Sequence, residues 1–145
     1  MNSLFLMALM FCGGVAIALQ PSINARLAQK IGVVESACVS FAAGTLVLLL
    51  IVLCTGRGGL RHLGNAPWWE MTGGLLGAFF VTMTIIVVPR IGTASAVASI
   101  ITAQLVTGIV LDHYGLFGLK EAQFDLKRGL GVLLLLAGAA LIYRR

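Results

Sequence analysis

The chain has 145 residues, 59% of them hydrophobic and only 10% charged, with a mean hydropathy of +1.03. A soluble domain needs far more polar surface, so these values exclude that class and point to a membrane protein. The formal net charge of +5 does not indicate nucleic acid as a partner, because the ten basic residues are scattered over connections and ends, as is usual beside membrane helices.

A hydrocarbon core of about 30 Å asks for about 20 apolar residues per helix. Residues 1–25, 36–56, 71–89, 91–111 and 129–143 are free of Asp, Glu, Lys and Arg. They predict an all-α integral membrane protein with one five-helix transmembrane domain over residues 1–145, its helices at about 3–29, 33–55, 68–88, 91–112 and 128–143. The last stretch is short, and Lys127, Arg128, Arg144 and Arg145 extend its reach by snorkelling. The runs are continuous and lack period-2 alternation, which excludes a barrel. No soluble domain, low-complexity segment or internal repeat is evident.

The first helix lacks the basic n-region of a secretory signal and is expected to remain in place. Phe11 occupies the position before Cys12 where a lipoprotein box needs a small residue. Cys12, Cys38 and Cys54 lie inside apolar runs without metal-ligand spacing, and packing roles are expected. Pro21 removes the helical partner of the Ile17 carbonyl, which must then face protein or a wet cavity. Gln20 and Asn24, four apart, share a face if the helix continues, and the next charge is only at Arg26. The expectation is a kinked continuation that brings a free carbonyl and two amides into the membrane.

Gly56, Gly58 and Gly59 end helix two, and Trp68 and Trp69 mark an interface before helix three. Gly73, Gly74 and Gly77 form a small-residue face of the GxxxG type, for which close helix packing is the simplest role. Pro89 and Arg90 in "VPRIGT" are expected to break the chain tightly, and Gly92, Ser95, Ala96 and Ser99 open helix four with another small face. Gln104, Gly108 and Asp112 follow at i, i+4 and i+8, with Thr107 beside them. Gln104 suits an interhelical hydrogen bond or a substrate. Asp112, Glu35 and Glu70 sit at helix ends, so no charge lies mid-membrane. Leu116, Phe117, Leu119 and Phe124, mixed with charges, suggest a segment lying partly at the interface before helix five. His62 and His113 are far apart, and no phosphate loop, HExxH or CxxC is present. No enzyme chemistry, metal site or cofactor is expected.

Five crossings put Arg57, Arg61, Lys120, Lys127 and Arg128 on the side of the N-terminus, and Arg26, Lys30, Arg90, Arg144 and Arg145 opposite. Orientation follows a Lys/Arg bias between the two sides, and here there is none. A chain without bias can insert both ways, and two inverted copies give the symmetry on which many transporters are built.

The segments "LQPSINARLA", "SFAAGT", "WWEMTGGLLGAFFV", "VPRIGTA" and "TAQLVTGIVLDHYGLFG" resemble the small YdcZ-like family of the drug/metabolite transporter superfamily over nearly the whole chain. The resemblance implies a five-helix inner-membrane protein of dual topology, acting as an antiparallel homodimer or with a homologous partner subunit. It makes Gln20, Asn24, Trp69, Gln104 and Asp112 the matching polar or aromatic motif positions. Small multidrug exporters carry a glutamate in helix one, and this chain has no carboxylate there. The expected function is a secondary transporter, an exporter of small metabolites. Gln20, Asn24 and Gln104 would bind substrate, Trp69 would shape a mouth and Asp112 is the candidate for proton coupling. A passive small-solute or ion channel and a structural subunit of a larger membrane complex are the rivals.

Overall fold

The computed structural model describes residues 2–56, 59–118 and 125–143. Arg57, Gly58, Leu119, Lys120, Phe124, Arg144 and Arg145, which entered the sequence expectations, lie outside the described residues, as does the side chain of Arg61. Among the described residues there are five α-helices and no strand: α1 Ser3–Ile31, α2 Val33–Thr55, α3 Gly73–Ile91, α4 Thr93–Tyr114 and α5 Leu126–Ile142. Short 3₁₀ turns cover Leu60–Asn65, Trp68–Thr72 and Leu116–Gly118.

Four of these helices are long and apolar enough to cross a membrane: α1, α2, α3 with the turn that precedes it, and α4. α5 has 17 residues, and at 1.5 Å per residue it measures about 26 Å, a little short of the hydrocarbon thickness. Contacts divide the chain into two compact units, residues 1–90 and 91–145.

Helix ends follow local chemistry. Asn2 caps α1 by accepting from the Leu4 N–H, and Asp125 caps α5 by accepting from the Arg128 N–H at 2.7 Å. Gly56 and Gly115 close α2 and α4 in the left-handed conformation. α1 runs without interruption through Pro21, which is buried.

Pro89 does not break α3 as expected. A proline deletes one backbone donor, and α3 absorbs that loss and continues to Ile91. α3 ends before Gly92 (φ 83°, ψ 155°), a backbone conformation accessible essentially to glycine alone. α1 and α2 are joined in the same way by Gly32 (φ 102°, ψ 160°). At both joints an Ile-Gly pair, Ile31-Gly32 and Ile91-Gly92, follows a basic residue, Lys30 and Arg90. In both, the N–H four residues on donates to the glycine carbonyl, Ser36 to Gly32 and Ala96 to Gly92.

The first unit buries polar side chains beside a small apolar core and leaves most of its large apolar side chains exposed. Ala37, Val81 and Ile85 form its core, with Ala28, Val33 and Phe80 packed against them. Asn24, Ser36 and Thr84 are buried, whereas Leu4, Met10, Phe11 and Leu53 are largely exposed. A water-soluble domain shows the opposite arrangement; this one suits a lipid solvent, where polar groups must find partners within the protein. Thr82, Thr84, Ser99 and Thr102 meet the same demand locally by donating to carbonyls three or four residues earlier.

Candidate functional site

In the first unit the α1–α2 hairpin builds a polar cluster inside apolar surroundings. Because one residue joins the helices, they run antiparallel in tight register. Gln20 and Asn24, one turn apart on α1, therefore meet Ser40 and Ser36, one turn apart on α2. The Asn24 Nδ2 donates to Ser40 Oγ at 3.2 Å, and the Gln20 Nε2 reaches the same oxygen at 3.5 Å. Ser36 Oγ donates to the Asn24 carbonyl at 2.8 Å. Asn24 and Ser36 are buried, while Gln20 and Ser40 are half-buried at the cluster's open side. At 1.5 Å per residue, Ser40 lies about 12 Å and Gln20 about 18 Å along their helices from Gly32, well within a membrane's depth. The cluster can offer an incoming polar group the remaining hydrogen-bonding capacity of two amides and a hydroxyl.

The sequence expectation brought together Gln20 and Asn24; Ser36 and Ser40 escaped it. Their signal was partly present: the Ser36–Ser40 spacing of four repeats that of Gln20–Asn24, and both cross-helix pairs are centred on Lys30, two residues before the joint at Gly32. Trp69 lies on the Trp68–Thr72 turn, where its carbonyl accepts from Thr72 Oγ1 at 2.7 Å. Of the three helix-three glycines, Gly77 meets a neighbour, with Phe41 Cζ 3.1 Å from where a Cβ would sit; Gly73 and Gly74 face open space in the single chain.

In the second unit, α4 and α5 pack together and flank two hollows. The larger, about 930 Å³, is an apolar groove along Val110, Tyr114, Leu130 and Leu133. In lipid such a groove needs no polar partner. The smaller, about 330 Å³, gathers Gln104, Gly108 and Asp112 of α4 with Arg128 and Gly131 of α5. The volume alone would favour the apolar groove; the chemistry favours the smaller cleft. Arg128 Nη1 donates to Asp112 Oδ2 at 3.4 Å, with both side chains about two-fifths exposed. Asp112 is therefore an ion-paired carboxylate at the end of α4, and Arg128, expected only as a snorkelling flank, is its partner. Gln104 is exposed, and its amide has no hydrogen-bond partner among the described residues. No group of His, Cys, Asp and Glu suited to a metal ion occurs among the described residues.

The family model described as "Putative inner membrane exporter, YdcZ" matches residues 5–141. The chain is 29% identical to "Inner membrane protein YdcZ" of Escherichia coli (strain K12), across 100% of this chain and 99% of that protein. No solved structure matches. The family match spans all five helices nearly end to end, and the chain belongs to this family of multi-pass inner-membrane exporters.

Proposed function

We propose that this chain exports small metabolites as a secondary transporter, and that two copies in opposite orientations form the working unit by alternating access. The observation that carries the reading is the continuation of α1 through Pro21, which brings Gln20 and Asn24 to Ser40 at membrane depth. Amides are costly in lipid, and such groups commonly mark substrate pathways. The five-to-five balance of basic residues supports opposite orientations of one chain. Five helices are few to enclose a site and gate it from two sides, which a second, inverted copy remedies.

In this reading Gln20, Asn24 and Gln104 bind substrate, Trp69 shapes one mouth, and Asp112 is the carboxylate available for proton coupling. Gly73 and Gly74, open in the single chain, lie against the other copy and allow α3 to slide. The second copy is the same chain, or a homologous subunit in its place.

The decisive experiment is reconstitution into liposomes with a metabolite chosen by a thermal-shift screen. Saturable flux coupled to a gradient supports the reading. Unsaturable downhill flux would make it a channel, and no flux with a stoichiometric unrelated partner would make it a structural subunit. Disulfide crosslinking decides the assembly: a parallel dimer or an active monomer overturns the inverted pair.

A further inference from the structure

We propose that the two Gln104 amides of an inverted pair of chains bond to each other on its two-fold axis, so that α4 is the surface along which the copies meet. The inference rests on the inverted pair proposed above and adds its contact face.

Four observations converge. The first is depth. α4 has 22 residues and is long and apolar enough to cross a membrane. At 1.5 Å per residue, Gln104 lies about 16 Å from its start at Thr93 and about 15 Å from its end at Tyr114. That is mid-depth in a hydrocarbon core of about 30 Å. A two-fold axis in the membrane plane exchanges the two halves of the bilayer, so only groups at mid-depth can meet their own counterparts. The second is exposure. Gln104 is exposed, and its amide has no hydrogen-bond partner among the described residues. Lipid offers it none. The third is chemistry. A primary amide carries a donor and an acceptor side by side, so two amides related by a two-fold axis exchange two N–H···O bonds. The fourth is Thr107, exposed one turn further along α4. The hydroxyls of Thr82, Thr84, Ser99 and Thr102 donate to carbonyls of their own helices, whereas that of Thr107 has no partner among the described residues. It lies about 4.5 Å along the helix from Gln104, within reach of the second amide N–H of Gln104 of the second copy. Gly108 leaves room for close approach, since a Cβ there would meet nothing within 4 Å in the chain. A substrate reaching Gln104 in this pair meets the amides of both copies, at one shared place on the axis.

The test is disulfide crosslinking of the full-length chain in membranes, with Cys12, Cys38 and Cys54 replaced by alanine. Gln104→Cys should give a disulfide-linked dimer on oxidation. Ile100 and Gly108 lie one turn to either side, and in an inverted pair centred on Gln104 each faces the other. Differently tagged chains carrying Ile100→Cys and Gly108→Cys should therefore crosslink when coexpressed. Neither should crosslink to its own kind, because like positions lie about 12 Å apart along the axes, beyond the limit of about 7 Å between Cα atoms that a disulfide spans. Gln104→Leu in both chains should lower the mixed crosslink about threefold or more, the loss of one or two interhelical hydrogen bonds. An unchanged yield would show that the amides do not hold the pair, and overturns the proposal. If Gln104→Leu fails to insert, the crosslinks made with Gln104 in place still decide. Self-crosslinking at Ile100 and at Gly108 without mixed product would mean parallel copies, and overturns the inverted pair together with the proposal. A dimer by light scattering with no crosslink at any of the three positions would put the contact on another face, which overturns the proposal alone and leaves the inverted pair standing.

Discussion

Ser36 Oγ donates to the main-chain carbonyl of Asn24 at 2.8 Å, so a side chain of α2 holds the backbone of α1. Ser36 is also fully buried, which makes its small volume as significant as its hydroxyl. Ser36→Ala should cost about 0.5–1.5 kcal/mol, the usual net value of one such bond. Ser36→Val should cost more, about 1–3 kcal/mol, because the added methyls overpack a closed contact. Thermal unfolding of the purified protein measures both. An equal cost for the two variants would show that α2 can back away from α1 freely.

The amide pair separates substrate binding from helix packing. Gln20→Leu keeps bulk and removes a bond at 3.5 Å from a half-buried site, so expression and assembly should stay near normal. Substrate affinity should fall by about 1–3 kcal/mol, or from about fivefold to over a hundredfold. Asn24→Leu should impair both, since Asn24 is buried and its bond to Ser40 is shorter. Aggregation of the Gln20 variant, or normal flux from it, would reduce this amide to packing. Pro21→Ala restores an N–H for the Ile17 carbonyl and should alter turnover more than affinity.

How far the sequence carried can be judged at the two prolines that lie inside helices. Pro21 was legible as a continuation because polar but uncharged Gln20 and Asn24 kept the helical spacing up to Arg26. Pro89 was misplaced as a break because Arg90 and Gly92 follow so closely; the positive φ of Gly92 ends the helix, and the proline does not. Ser36, Ser40 and the Asp112–Arg128 pair were hidden for another reason. Which residues face each other across two helices depends on the register about the turn, and that register rests on the single-residue reversal at Gly32 and on how α5 returns along α4.

Gly32 and Gly92 share a conformation but not surroundings. Either glycine replaced by alanine should be destabilised by about 1–3 kcal/mol from backbone strain. At Gly32 the new methyl would also run into the Glu35 carboxylate, whereas at Gly92 it meets nothing within 4 Å. Glu35→Ala should therefore recover part of the loss in Gly32→Ala. Chemical denaturation of the single and double variants checks this, and no recovery would mean that the Glu35 side chain simply swings aside.

The proposed five crossings divide the ten basic residues five to five, so both orientations are expected in one membrane. Cys12, Cys38 and Cys54 are exposed on the helix surfaces and must first be replaced. A cysteine then placed at Asn2 or Arg145 should react partially with an impermeant reagent in intact cells. One end fully labelled and the other fully protected would show a single orientation. Two or three lysines added to the 57–64 connection should drive the population to one state.

The glycine joints also decide where a protease can cut. Single-residue joints at Gly32 and Gly92 offer no segment for an enzyme to grip, whereas Arg57, Arg61 and Lys120 supply trypsin sites in the sequence between the other helices. If all five helices cross, as proposed, the segments between α2 and α3 and between α4 and α5 lie on the same side of the membrane. Trypsin confined to one side of sealed vesicles should thus meet each molecule as all or nothing: cleaved in both connections, or intact. A mixed population would yield full-length chain and the limit fragments together, in a ratio that directly counts the molecules facing each way.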